Sequence, residues 1–190
     1  MKRLFVFAVF SWVTLAGLST DAATITVTNV DDSGPGSLRQ AIDDANQNPG
    51  ADSIVFNIPT NSPGFDGSVF TIQPLSALPP LTDVGTTIDG ATQTAFTGDT
   101  NPAGPEVVLN GSQVGFVGGG LSINSSGNII NSLVLNGFNN TGIDINGAGA
   151  TSNTVTGCYL GTNATGDSAV PNTFDGLALR GGASSNTIGG

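Results

Sequence analysis

Gly120-Leu121-Ser122-Ile123-Asn124 recurs as Gly142-Ile143-Asp144-Ile145-Asn146, and again as Gly176-Leu177-Ala178-Leu179-Arg180. A second element follows the first two copies. Asn128-Ile129-Ile130-Asn131-Ser132-Leu133-Val134-Leu135 matches Asn153-Thr154-Val155-Thr156-Gly157-Cys158-Tyr159-Leu160, and a third copy starts at Asn186-Thr187-Ile188-Gly189-Gly190. Apolar residues alternate within these short runs, as a strand with one buried face requires. The leading glycines lie 22 and 34 residues apart, and the Gly- and Thr-rich stretch 162–175 accounts for the longer interval as a side loop. A period of this size, two or three short strands long, marks stacked units that bury their apolar sides against one another. The expected fold class is all-β: a right-handed parallel β-helix (solenoid) with an N-terminal capping strand and amphipathic helix. Leu121, Ile143 and Leu177 then form an inward column, as do Ile123, Ile145 and Leu179. Ile130, Val155 and Ile188 form another, and Leu135 with Leu160 a fourth. Asn128, Asn153 and Asn186 stack at one corner, where side-chain amides bond from layer to layer.

Upstream of the repeats, residues 24–28 alternate Thr with Ile25 and Val27, which suits a half-buried strand. Asp31-Asp32-Ser33-Gly34-Pro35-Gly36 forces a turn. Residues 37–47 predict a helix: Ser37 and Gln40 form a capping box, and Leu38, Ala41, Ile42 and Ala45 make one apolar stripe. Asn48-Pro49-Gly50 stops it, and Ile54-Val55-Phe56-Asn57-Ile58 is the next strand. The helix is expected to cover the open end of the stack. Within 62–119, Thr87-Ile88-Asp89-Gly90 and Val108-Leu109-Asn110-Gly111 read as further rungs, whereas Pro79-Pro80 and 97–105 read as loops.

Residues 1–22 read as a secretory signal peptide, with Lys2 and Arg3 at its start, an apolar run over 4–18, and Thr20-Asp21-Ala22 at its end. The run is shorter than the roughly 20 residues of a membrane span. The expected organisation is 1–22 leader, 23–60 N-terminal cap (strand-helix-strand), and 61–190 parallel β-helix coils truncated at the C-terminal end. The natural protein is expected to continue past Gly190 with further coils. The chain has 190 residues and a net charge of −10. Losing Lys2, Arg3 and Asp21 with the leader leaves 13 acidic residues against Arg39 and Arg180, a charge of −11. Such a chain cannot displace counterions from nucleic-acid phosphates or attract an anionic membrane. It has no His, so imidazole catalysis, His-Cys metal sites and Ser-His-Asp triads are excluded. Cys158 is the single cysteine, so the fold holds without an internal disulfide.

Gly36-Ser37-Leu38-Arg39-Gln40-Ala41-Ile42 with Asp44-Ala45-Asn46 resembles the CSLREXD-type N-terminal signature of secreted bacterial repeat proteins, with Gly36 at the signature's Cys and Gln40 at its Glu. Leu160-Gly161-Thr162-Asn163-Ala164-Thr165-Gly166 and Asn186-Thr187-Ile188-Gly189-Gly190 resemble repeats of the same group. The resemblance covers nearly all of the chain after the leader. It implies a pectin-lyase-like parallel β-helix on a large surface protein.

Polysaccharide lyases and galacturonases share that fold, and resemblance to lyases implies an Arg or Lys base beside calcium-binding acids. Arg39 lies in the helix, where pairing with an Asp is the expected role. Arg180 follows a repeat strand in the row of Asn124 and Asn146, and its outer-face neighbours Ser122, Asp144 and Ala178 supply one carboxylate. Hydrolysis of glycosidic bonds needs convergent carboxylates, whereas Asp31-Asp32 and Asp43-Asp44 are paired only along the chain. No residue is assigned a catalytic role. Calcium candidates are Asp144, Asp167 and Asp175, since the side loops of such repeats often carry ligands, and none fits a known ligand spacing. Cys158 aligns with inward Leu133 and reads as an inert thiol, while Tyr159 aligns with Val134 and points outward. Asn110-Gly111-Ser112, Asn139-Asn140-Thr141 and Asn163-Ala164-Thr165 match the glycosylation sequon, as chance allows in so Asn-rich a chain.

The sequence is therefore expected to belong to the N-terminal part of an exported, non-catalytic surface or extracellular protein with a structural or adhesive role. Surface glycans, other proteins and further coils of the same chain are its expected partners. The alternative is a fragment of a pectin-lyase-like polysaccharide lyase or glycoside hydrolase whose active site lies outside this segment.

Overall fold

The structure, a computed structural model, describes residues 21–115 and 118–190. The expected leader falls almost wholly outside the described residues.

Helix α1 (Leu38–Gln47) forms where the apolar stripe predicts, with Leu38, Ala41, Ile42 and Ala45 buried. The Ser37 hydroxyl oxygen accepts the Gln40 N–H at 3.2 Å, which satisfies one free donor of the first turn. The reciprocal half of the capping box is not made. Ser37 N–H already donates to Gly34 O at 3.1 Å, so Gln40 turns instead to Asp44 Oδ1 at 2.7 Å. Gly36, at the signature's Cys position, has φ +82° and lies against the Thr28 side chain, so a Cβ there would collide with the Thr28 hydroxyl.

Three sheets follow. The six-stranded sheet runs β1 (Thr24–Val27), β2 (Ser53–Phe56), β4 (Thr87–Asp89), β7 (Ile129–Asn131), β10 (Thr154–Thr156) and β13 (Thr187–Ile188). The four-stranded sheet contains β3 (Phe70–Ile72), β5 (Val107–Asn110), β8 (Val134–Asn136) and β11 (Tyr159–Leu160). The three-stranded sheet contains β6 (Leu121–Ile123), β9 (Ile143–Asn146) and β12 (Leu177–Arg180). Every strand pair is parallel, and from β4 onward the chain visits the three sheets in rotation.

This architecture corrects the all-β, right-handed parallel β-helix expectation. The described residues hold two α-helices and three separate all-parallel sheets of unequal size, an α/β-like arrangement without a closed solenoid. The inequality arises early in the chain. Between β1 and β2 the chain makes α1 and no strand for the other sheets, and between β2 and β4 it supplies β3 with only an isolated bridge from Leu81 to Ile123. The regular spacing after Gly120 does not extend to these turns.

The registers within the sheets match the repeat alignment. Ile130 lies opposite Ile88 and Val155, and Val155 opposite Ile188. Leu135 faces Leu109 and Leu160, while Ile143 faces Leu121 and Leu177. One continuous core spans Val27 to Val155 and takes in α1. The Asn corner has a specific chemistry. Asn128 Oδ1 accepts Thr86 N–H at 3.0 Å, Asn153 Oδ1 accepts Asn128 N–H at 2.8 Å, and Asn186 Oδ1 accepts Asn153 N–H at 2.8 Å. Each amide, buried at Asn128 and Asn153 and half-buried at Asn186, thus answers a backbone donor just before a strand.

Helix α2 (Ala91–Thr97) is not legible in its sequence, which lacks an apolar stripe. It is held by side chains that take over the end of β2. Thr92 Oγ1 accepts Phe56 N–H at 2.8 Å. Gln93, fully buried, accepts Ile58 N–H at 2.9 Å and donates to Ile58 O at 2.9 Å, as a strand neighbour would. Among the described residues no helix is long and apolar enough to cross a membrane.

Candidate functional site

Strand β9 turns Asp144 to the outer face between buried Ile143 and Ile145, and β12 places Arg180 in the neighbouring row. The loop before β12 carries Phe174 and Asp175, and the turn before β9 carries Asn140 and Thr141. These elements meet around Arg180. Its Nη2 donates to Asp175 Oδ2 at 3.1 Å and to Thr141 Oγ1 at 3.0 Å, and its Nε lies 3.4 Å from Asp144 Oδ1 as an ion pair without hydrogen-bond geometry. Asn140, Thr173, Phe174, Asp175 and Arg180 line an open groove of about 570 Å³. A recess of about 120 Å³ with Ser122, Thr141 and Asp144 adjoins it. Phe174 is 63% exposed, and the Arg180 side chain remains 47% exposed despite its partners.

Two of the three calcium candidates are brought together, but around a guanidinium. Asp167 lies in the side loop, where its Oδ1 accepts from Asn163 Nδ2, Thr165 Oγ1 and Ser168 Oγ at 2.8, 3.0 and 3.1 Å. Those bonds, led by that from Asn163, hold its carboxyl below the usual carboxylate range. Among the described residues no group of three or more His, Cys, Asp and Glu side chains is placed to hold a metal.

Arg39 is a structural clamp. It bonds Asp32 Oδ1 at 2.9 Å, Asp32 O at 3.0 Å, Ala77 O at 2.6 Å and Ser76 O at 3.0 Å, tying α1 to two loops. The Leu75 N–H bonded to Asp32, followed by Arg39, holds the Asp32 carboxyl below its ordinary value. Tyr159 does point outward, yet it is no free sugar platform. Its ring packs on Gly104, where a Cβ would sit 2.5 Å from the ring, and its hydroxyl donates to Ala103 O at 2.7 Å. With Ala164 it covers Val69, Val108 and Val134, a second apolar cluster apart from the main core. The sequon residues Asn110, Asn139 and Asn163 all use their amide nitrogens as donors within the fold.

Cys158 is partly covered, and burial pushes its thiol up from 9.0 to about 11. Only the thiolate is nucleophilic, so two pKa units translate into a roughly 100-fold smaller reactive fraction near pH 8. Alkylation of the native protein with iodoacetamide at pH 8 is expected to run about 100-fold slower than in denaturant. Equal rates would show an accessible thiolate.

Sequence reasoning found Arg180 and Asp144 as neighbours and missed Phe174, Asn140 and Thr141. The available signal for Phe174 was an aromatic residue in a polar loop carried by a regular scaffold. A second cleft, of about 300 Å³, runs beside α2 past Tyr159. Its buried Glu106 accepts Thr100 N–H at 2.6 Å and so braces the adjoining loop. No protein-family model, curated protein or solved structure matches the chain.

Proposed function

We propose that the protein is an exported, non-catalytic surface or extracellular component with a structural or adhesive role, and that neutral surface glycans are its partners. The observation that carries this reading is the groove in which the exposed Phe174 ring lies beside the polar groups of Asn140, Asp175 and Arg180. An aromatic face takes the apolar side of a sugar ring, while a carboxylate, an amide and a guanidinium exchange hydrogen bonds with its hydroxyls. Neutral sugars are favoured over polyanionic ones because a chain of net charge −11 after leader removal repels the latter. A binding role is favoured over catalysis because Asp144 and Asp175 both face Arg180 as ion pairs rather than standing as an acid and base across a scissile bond.

Titration against a panel of neutral and acidic oligosaccharides tests this. Binding to neutral members is expected, weakened about tenfold or more in Phe174→Ala, the loss of one stacking anchor. Because Phe174 is exposed, its replacement should leave the unfolding midpoint unchanged. Absence of binding across the panel would overturn the glycan reading, and release of cleaved or unsaturated products would overturn the non-catalytic one.

A further inference from the structure

Asp52 lies just before β2, is 1% exposed, and is only partly satisfied. Its Oδ1 accepts Ala23 N–H at 2.7 Å and Asn48 Nδ2 at 2.7 Å, while Oδ2 is buried without a partner. A buried carboxylate calls for a cation or a full set of donors. Arg39 and Arg180 are the basic side chains among the described residues, and both are committed to other aspartates. The only lysine is Lys2 and there is no histidine. One further cation is available to a processed chain, its α-amine.

We infer that the leader is removed between Ala22 and Ala23, and that the new α-ammonium of Ala23 forms an ion pair with Asp52. Water adds across the Ala22–Ala23 peptide bond. Ala22 leaves with the carboxylate, and the Ala23 nitrogen, taking up protons, becomes the ammonium. This is the same nitrogen that already sits 2.7 Å from Asp52 Oδ1. Cleavage therefore needs no rearrangement to place the charge, and it adds two donors beside the carboxylate whose second oxygen lacks one. Asp21 and Ala22 are exposed, so the bond is open to a peptidase. The pair would anchor the start of β1, an edge strand tied there by Ser53 N–H to Ala23 O at 2.8 Å. Asp83, which accepts Gly50 N–H through Oδ2 at 3.2 Å, is the next carboxylate in this neighbourhood, and it adds to the negative field.

The inference rests on the export reading and is independent of the glycan groove. The test begins with the full chain expressed in a secreting host and the intact mass of the released protein. A first residue of Ala23 is expected. Any other start overturns the inference alone, whereas retention of the leader overturns export as well. The processed chain has no lysine, so its α-amine is the one amine an acetylating reagent can modify, and hydroxylamine removes any acetyl group from Cys158 and Tyr159. Acetylation in denaturant followed by refolding is expected to lower Tm by about 4–10 °C. Asp52→Asn should lower it similarly, and the two changes together by no more than either alone. A Tm unchanged by acetylation, or strictly additive shifts, would overturn the pairing. Should Asp52→Asn not fold, the native amine at pH 7 is still expected to acetylate at least about tenfold slower than the unfolded one, because the ion-paired form stays protonated. Equal rates would overturn the pairing equally.

Discussion

Ile42→Ala is expected to lower the free energy of unfolding by about 2–5 kcal/mol. Ile42 is fully buried in the face that α1 presents to β1 and β2, together with Leu38, Ala41 and Ala45. The wall opposite is backbone hydrogen-bonded in fixed register, Ile25 to Ile54 and Val27 to Phe56. It cannot close over the missing atoms, so the loss includes a cavity as well as transfer. Gln47→Ala, on the exposed last turn of the same helix, should change stability by less than about 0.5 kcal/mol. Urea titration of both variants measures the difference. Equal small losses would mean that α1 does not contribute to the core.

Gln93→Ala should have an effect of similar size by another route. The side-chain amide closes a two-bond ring with the backbone of Ile58. Removing it strands a buried N–H and a buried C=O, each worth about 1–3 kcal/mol, for a total of about 2–5 kcal/mol with the packing lost. Gln93→Glu separates the two bonds, since it keeps an acceptor for Ile58 N–H but sets a carboxylate oxygen against Ile58 O. It too should destabilise. Hydrogen exchange gives the local readout. The Ile58 amide, just past the end of β2, should lose protection in Gln93→Ala more than that of Ile130, which lies in the middle of the six-stranded sheet. A loss below about 0.5 kcal/mol would mean that water replaces the amide.

The repeat registers and α1 were legible because both depend on short-range periodicity. In a strand with one buried face, a slip of one residue would carry Ile130 or Val155 outward, so alternation alone specifies their pairing. The Asn corner was legible for a related reason, as aligned residues in stacked strands must meet. Fold class was less legible. The repeats describe the layers after Gly120, and nothing in them foretells that α1 and α2 interrupt the first turns or that the three sheets hold six, four and three strands.

The groove and the buried polar pairs depended on distance along the chain. Arg180 meets Thr141 across 39 residues, Gln93 meets Ile58 across 35, and Tyr159 meets Ala103 across 56. Each is a single polar contact with no periodic trace, and its partner becomes specified only when the sheets stack. Tyr159 shows the difference within one residue. Its outward direction follows from its register with Val134, whereas its cover by Gly104 and Ala164 comes from two loops that no pattern ties to it. Local pattern thus settled which strands pair, because backbone geometry repeats every two or 3.6 residues. It also settled which side chains of the inner layers face the core, whereas Leu179 and Ile188, expected in the same inward columns, are 51% and 44% exposed. Only the folded chain decided how many strands each sheet holds, what covers the outer faces, and where Phe174, Asp175 and Arg180 converge, because those depend on loop paths that leave no periodic trace in the sequence.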